Sequence, residues 1–132
     1  MKKYLILFCA LCLFGCVKST NNIKGQDLSE LKLLDKEYKI SKIIDKKTQK
    51  EYEALSDWSI ILDKNRFGMY VGCNRIFGQF IQEKGMLKYI NPASTKMMCP
   101  AMEVESLVTS NLTSQKIIEN GLENENIKII FK

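Results

Sequence analysis

No histidine occurs in the 132 residues. That absence removes the Ser-His-Asp and Cys-His nucleophile systems and every imidazole metal site. Proline is scarce, at two residues, and there is a single tryptophan. With seven glycines and 27% charged residues the chain is neither collagen-like nor of disordered composition. No apolar run reaches the roughly 20 residues that span a bilayer as a helix. Internal repeats, low-complexity tracts and linkers to a second domain are lacking too, and the length suits one domain. The 20 Lys and Arg residues are scattered, with no basic stripe interleaved with aromatics, so nucleic acid is not an expected partner.

What the chain does have is an uneven distribution of its five cysteines. Cys9, Cys12 and Cys16 lie in the first sixteen residues. There a cationic start (Met1-Lys2-Lys3) precedes an apolar run from Tyr4 to Phe14 and then Gly15-Cys16. A short basic segment, a short apolar segment and a small residue before the cut is the pattern of a secretory signal. Leu13-Phe14-Gly15-Cys16 resembles the lipobox of bacterial lipoproteins. The resemblance implies cleavage after Gly15, with Cys16 carrying a diacylglyceryl thioether and an acylated N-terminus. The competing reading is an ordinary signal with incidental cysteines. Several acyl chains on one residue anchor firmly, whereas one is marginal.

On that reading residues 1–15 are a lipoprotein signal peptide and residues 16–35 the lipidated cysteine and its polar tether. Residues 36–132 are the folded domain. Losing Lys2 and Lys3 lowers the formal charge from +5 to +3. Val17 after the anchor is not the aspartate associated with retention at the inner membrane, which favours a periplasm-facing outer-membrane site. Cys73 and Cys99 then remain as an even pair in an oxidising compartment, a setting that favours a disulfide. Two buried free thiols are the alternative.

Hydrophobic periodicity organises the rest. Leu28, Leu31, Leu33 and Leu34 begin a short helix or a first strand. Tyr38–Ile44 alternates as a strand, and 45–51 reads as a charged loop. Trp58–Leu62, Arg66–Cys73, Gly78–Gln82 and Met86–Ile90 are strand-like runs separated by turn residues, the spacing of an antiparallel meander. Glycines within the second run suggest a bulge or a close backbone approach. The period then changes: Pro100 suits a first helical position, and Ala101, Val104, Leu107, Val108 and Leu112 fall at helical spacing. One amphipathic helix of about three turns is predicted to cover an open face of the sheet, with Glu103 and Glu105 at its positive end. One or two strands follow, around Gly121.

The densest chemistry lies in Gly72-Cys73-Asn74 with Gly78, and in Thr95, Met97 and Cys99. Together with Trp58 upstream and Met102-Glu103 in the helix, these resemble the META domain, the HslJ-like family of bacterial lipoproteins. The resemblance covers about residues 36–131. It implies an α+β, mainly β fold: a strongly curved antiparallel sheet or small incomplete barrel with one packed helix. A strand that family members often carry beyond Phe131 has no counterpart here, so less complete closure is expected. The resemblance implies no catalytic residue and no cofactor, and suggests a role in envelope stress or antibiotic tolerance through contact with another envelope component.

Read residue by residue, the motif is chiefly architectural, because Gly72 and Gly78 permit unusual backbone and Asn74 caps turns. The functional alternative makes Asn74, Arg75 and Gln79 a polar recognition edge. Cys73 and Cys99 lack the base that a nucleophilic thiol needs, Arg75 and Lys96 being the nearby cations in sequence. Met97, Met98, Cys99 and Met102 form a soft-ligand set of the kind that holds Cu(I), against which packing into an irregular core is the preferred reading. The expectation is therefore a monomeric, non-enzymatic module joined to the membrane by its lipid. Its candidate partners are an envelope protein or a small apolar ligand held in a cavity. A loop-presenting inhibitor of a foreign hydrolase is the further alternative.

Overall fold

The computed structural model describes Leu33 and residues 35–132. The signal segment, Cys16 and Leu28, Leu31 and Leu34 lie outside the described residues. Nine strands and one helix follow in chain order: β1 (Glu37–Asp45), β2 (Lys50–Glu53), β3 (Ser59–Asp63), β4 (Arg66–Tyr70), β5 (Arg75–Glu83) and β6 (Met86–Ser94). After them come α1 (Met102–Thr109), β7 (Ser114–Ile118), β8 (Gly121–Glu123) and β9 (Ile127–Phe131). All neighbours are antiparallel, in the order β2-β1-β3-β4-β5-β6-β7-β8-β9.

The ring closes because β9 returns to β1, with Ile43 opposite Ile129 and Asp45 opposite Ile127. Along its other edge β1 is shared: Glu37–Lys39 pair with β3, and Lys42–Asp45 with β2. Eight strands thus form a closed barrel, with β2 as an extra ribbon beside β1. Tyr38 stacks on Phe131 across the seam, ring centroids 5.0 Å apart. The mainly β, α+β architecture expected from the sequence is the one observed. Closure is more complete than expected, since the strand ending at Phe131 already reaches β1.

The interior is filled. Ile40, Ile43, Ile60, Leu62, Ile76, Leu87, Ile117, Leu122, Ile127 and Ile129 are all fully buried. Each contributes about 1.5–3 kcal/mol by leaving water. Phe67 and Tyr89 meet edge to face at 4.9 Å in the same core. The Tyr89 hydroxyl donates to Gln115 Oε1 at 2.7 Å, and burial pushes its pKa far up.

The two mouths of the barrel are stoppered differently. At the mouth carrying the β1–β2, β4–β5 and β8–β9 turns, α1 lies between β6 and β7 and sends Val104 and Val108 into the core. The opposite mouth is crossed by Leu33, which is buried and exchanges two hydrogen bonds with the Gln82 amide, at 2.8 and 3.2 Å. The core therefore reaches back into the stretch assigned to the tether.

Three local expectations need correction. The helix runs for eight residues from Met102, not three turns from Pro100. Thr109 and Asn111 end it by bonding their side chains to Glu105 and Leu107 carbonyls. Within 45–51 the charged stretch is part strand: β2 pairs with β1 and buries little, so its sequence carries no alternation to read. Of the glycines in the Arg66–Cys73 run, Gly72 makes the close approach expected, whereas Gly68 is neither bulged nor crowded, for nothing lies within 4 Å of where its Cβ would stand. The bulge lies instead on β6, where Asn91 and Pro92 oppose Gly78, at which a Cβ would meet the Phe67 ring at 2.9 Å and Ile90 O at 3.0 Å.

If closure through β9 is what holds the core, Ile129→Ala should lower the unfolding free energy by about 2–4 kcal/mol in urea titrations. Half-buried Ile130→Ala should cost about 1 kcal/mol or less. Equal losses at the two positions would contradict the alternation seen along β9.

Candidate functional site

The motif residues converge at the helix-stoppered mouth. Cys73 and Cys99 are joined by a disulfide, their Cα atoms 6.0 Å apart. Asn74 is buried between them and the helix. Its Oδ1 accepts from Met97 N at 2.6 Å and from Thr95 Oγ1 at 3.0 Å, while its Nδ2 donates to Met97 O at 3.0 Å. One amide thus engages both the N–H and the C=O of Met97, as a paired strand would. Asn74 also donates twice to Glu105, from its backbone N at 2.7 Å and from Nδ2 at 2.8 Å.

Glu105 is the residue that sequence reasoning under-read. Its place in the first turn suits the helix dipole, but it is buried at 5% exposure and accepts hydrogen bonds from Asn74. The signal was present: Ala101, Glu105, Val108 and Leu112 share one helical face, so a carboxylate stands in the apolar stripe. A carboxylate in such a place needs donors, because an uncompensated buried charge costs several kcal/mol. Glu103, by contrast, is exposed and bonds Lys50 Nζ and Tyr52 OH, each at 2.7 Å. Lys50 first and Tyr52 second hold its carboxyl below the usual range, so this link from α1 to β2 persists until acid pH protonates the carboxylate.

Gly72 completes the cluster. Its φ is +106°, and a Cβ there would come 3.0 Å from Ala101 Cβ and 3.1 Å from Trp58 Nε1. Gly72, Cys73, Asn74, Thr95, Met97 and Cys99 are therefore brought together, and Gly78 stands apart at the bulge. Met97 and Met98 do not fill the core: they are 58% and 90% exposed, a correction to the packing reading. With the Cys99 sulfur bonded to Cys73, the soft-ligand set is not assembled as a thiolate site.

The polar edge divides. Asn74 is structural, whereas Arg75 and Gln79 are exposed on the outer wall. Arg75 is held by its backbone, its N accepted by Thr95 Oγ1 and its O receiving Thr95 N, both at 3.0 Å. The register of β3, β4 and β5 sets Ile61, Gly68 and Phe77 in one row across that wall, with Ser59, Tyr70 and Arg75 in the next. Because Gly68 has no side chain, the row has a notch between two large apolar walls. Ile61 and Phe77 are 48% and 49% exposed. The notch opens into a trough of about 460 Å³ lined also by Tyr70 and Arg75. It continues past Gly68 toward Arg66 and Gln79. Ile81 and Ile90 add apolar surface on the neighbouring strands. Four large exposed hydrophobics on adjacent strands form a patch of the sort that marks binding.

Two stability experiments test the mouth. Asn74→Asp keeps shape but faces a second carboxylate toward Glu105. It should cost about 3 kcal/mol at neutral pH. A variant as stable as the parent at pH 7 would refute the account. Replacing Cys73 and Cys99 together by Ser should cost roughly 3 kcal/mol, measured in urea, for a loop spanning 26 residues.

Comparison with known proteins bears on the same residues. None of the curated proteins matches the chain. An NMR structure of a protein from Burkholderia xenovorans superposes with a TM-score of 0.59 at 17% identity. The match covers 74% of this chain and 81% of that one, and at such identity it speaks for the fold alone. The family model of the META domain matches residues 30–123, from before Leu33 through the motif cluster and helix to the end of β8. The chain belongs to the META domain family.

Proposed function

We propose that the protein is a non-enzymatic envelope lipoprotein that supports stress or antibiotic tolerance by docking another envelope component on its outer wall. The observation that carries this reading is the contrast between inside and outside. The interior is packed with branched side chains, while the outer wall of β3–β6 exposes Ile61, Phe77, Ile81 and Ile90, the first two flanking a notch at Gly68. A carrier of the barrel-enclosed kind needs its cavity inside; here the inward-facing side chains are buried together in one core cluster.

Two further features support the setting. The Cys73–Cys99 disulfide suits an oxidising compartment, in keeping with the signal and lipobox read at residues 1–16. The reading makes Cys16 the anchor and the outer membrane the preferred site. One observation favours the loop-presenting alternative: Met97 and Met98 are exposed on a segment clamped by the disulfide and Asn74.

The test is genetic and spatial together. Deleting the gene should lower survival under heat or antibiotic challenge, and the parent chain should restore it. Phe77→Asp should fail to restore it while accumulating to normal level, and Cys16→Ser should leave the membrane fraction. Unchanged survival on deletion would sink the proposal. Rescue by Phe77→Asp but not by Met98→Asp would move the contact to the clamped loop.

A further inference from the structure

The Asn74 clamp also decides which side chains stay outside. Residues 95–98 are all exposed, and among them Met97 and Met98 reach 58% and 90% exposure. Methionine more often fills irregular gaps in a core. Here the Met97 backbone is held at both N and O by the Asn74 amide, and Cys99 is fixed by its disulfide. Met98 lies between those two fixed points. The backbone is thus anchored on either side of two thioethers that stand in water.

The other oxidation-prone groups of the described residues are protected. Cys73 and Cys99 offer no thiol, because their sulfurs are bonded to each other. Trp58 and Met69 are buried, and Met86 and Met102 are partly buried. A thioether sulfur is soft and polarizable, and its oxidation follows its exposure. With both thiols consumed, the softest accessible atoms among the described residues are the sulfurs of Met97 and Met98. A sulfoxide is polar and disrupts a core, but a side chain already in water loses no packing by becoming one.

We propose that Met97 and Met98 form a reversible oxidation site for small hydroperoxides. The thioether lone pair attacks the hydroxyl oxygen of the peroxide and the O–O bond breaks. The hydroxyl proton passes to the departing oxygen, which leaves as water or an alcohol. Sulfur loses the two electrons that the peroxide gains. The return step takes an external dithiol, which closes to a disulfide while the sulfoxide oxygen leaves as water. Cys73 and Cys99 cannot supply that dithiol, being already bonded. Two apolar side chains of the clamped loop thereby become polar, while the backbone that carries them stays where Asn74 holds it. The site is separate from the outer trough and stands or falls without it.

The protein, purified from the cells that make it, is treated with hydrogen peroxide, and peptide mass mapping follows each methionine. Met97 and Met98 should each gain one oxygen roughly tenfold faster than Met69, and ahead of Met86 and Met102. The oxidised protein should keep its urea midpoint. Methionine sulfoxide reductases of both epimer specificities, supplied with dithiothreitol, should return the folded protein to its starting mass. Replacing both residues, Met97→Leu with Met98→Leu, should remove the fast uptake. Oxidation of Met69 at the same rate, earlier unfolding of the oxidised protein, or sulfoxides that the reductases remove only in urea would overturn the inference. In living cells given peroxide, sulfoxide at positions 97 and 98 should rise and then fall during recovery. Protein recovered from challenged cells with both thioethers untouched would overturn it as well.

Discussion

The carboxylate of Glu105 stands in the apolar face of a two-turn helix that carries no side-chain cap at its start. Its burial is tolerable only because Asn74 turns two N–H groups toward it. Much of the barrel's upper mouth depends on that pairing. It orients α1 so that Val104 and Val108 enter the core. It also fixes the Asn74 amide, which then holds Thr95 and Met97 by the hydrogen bonds of a strand that is not there. The disulfide fastens the same segment two residues further on. A charge in such a place is weak evidence for net stability but good evidence for a single register, since no other residue nearby answers it. Because Thr95 in turn grips the Arg75 backbone, the cluster sets the starting point of β5 and the rim of the outer trough.

The division of labour between the wall's two sides follows from strand alternation. Inward positions are isoleucine, leucine and phenylalanine, and they leave the barrel solid. Outward positions elsewhere include Glu37, Lys39 and Lys42 on β1 and Lys128 on β9. On β3, β4 and β5 that pattern lapses to Ile61, Gly68 and Phe77, which the register brings side by side. A glycine in the middle of a strand weakens it. Gly68 nevertheless stands between two exposed hydrophobics, where a side chain would fit without a clash.

Several parts of this were legible in the sequence, and for identifiable reasons. Tyr38–Ile44, Trp58–Leu62 and Met86–Ile90 read as strands because burial on one face forces alternation. Cys73 and Cys99 were a natural pair once three cysteines had been set aside near the start. The Gly-Cys-Asn and Thr-x-Met-x-Cys spacings carried the family resemblance. Other parts were hidden. Strand β2 has one partly buried side chain, Tyr52, so no pattern betrayed it. Met97 and Met98 looked like core filler, and are instead held outward by bonds that Asn74 makes to the backbone between Thr95 and Met97.

The sequence by itself determined the fold class, the cysteine pairing it favours and the exclusion of histidine chemistry, because composition, alternation and motif spacing are local properties of the chain. Only the tertiary structure decided that the ring closes at β9, that Glu105 belongs to Asn74, and that Ile61, Gly68, Phe77 and Arg75 share one trough. Those facts depend on register between strands far apart in the chain. A shift of one residue in any pairing would turn the outward row inward. Periodicity names the faces of each strand, but only the assembled sheet says which residues on those faces are neighbours.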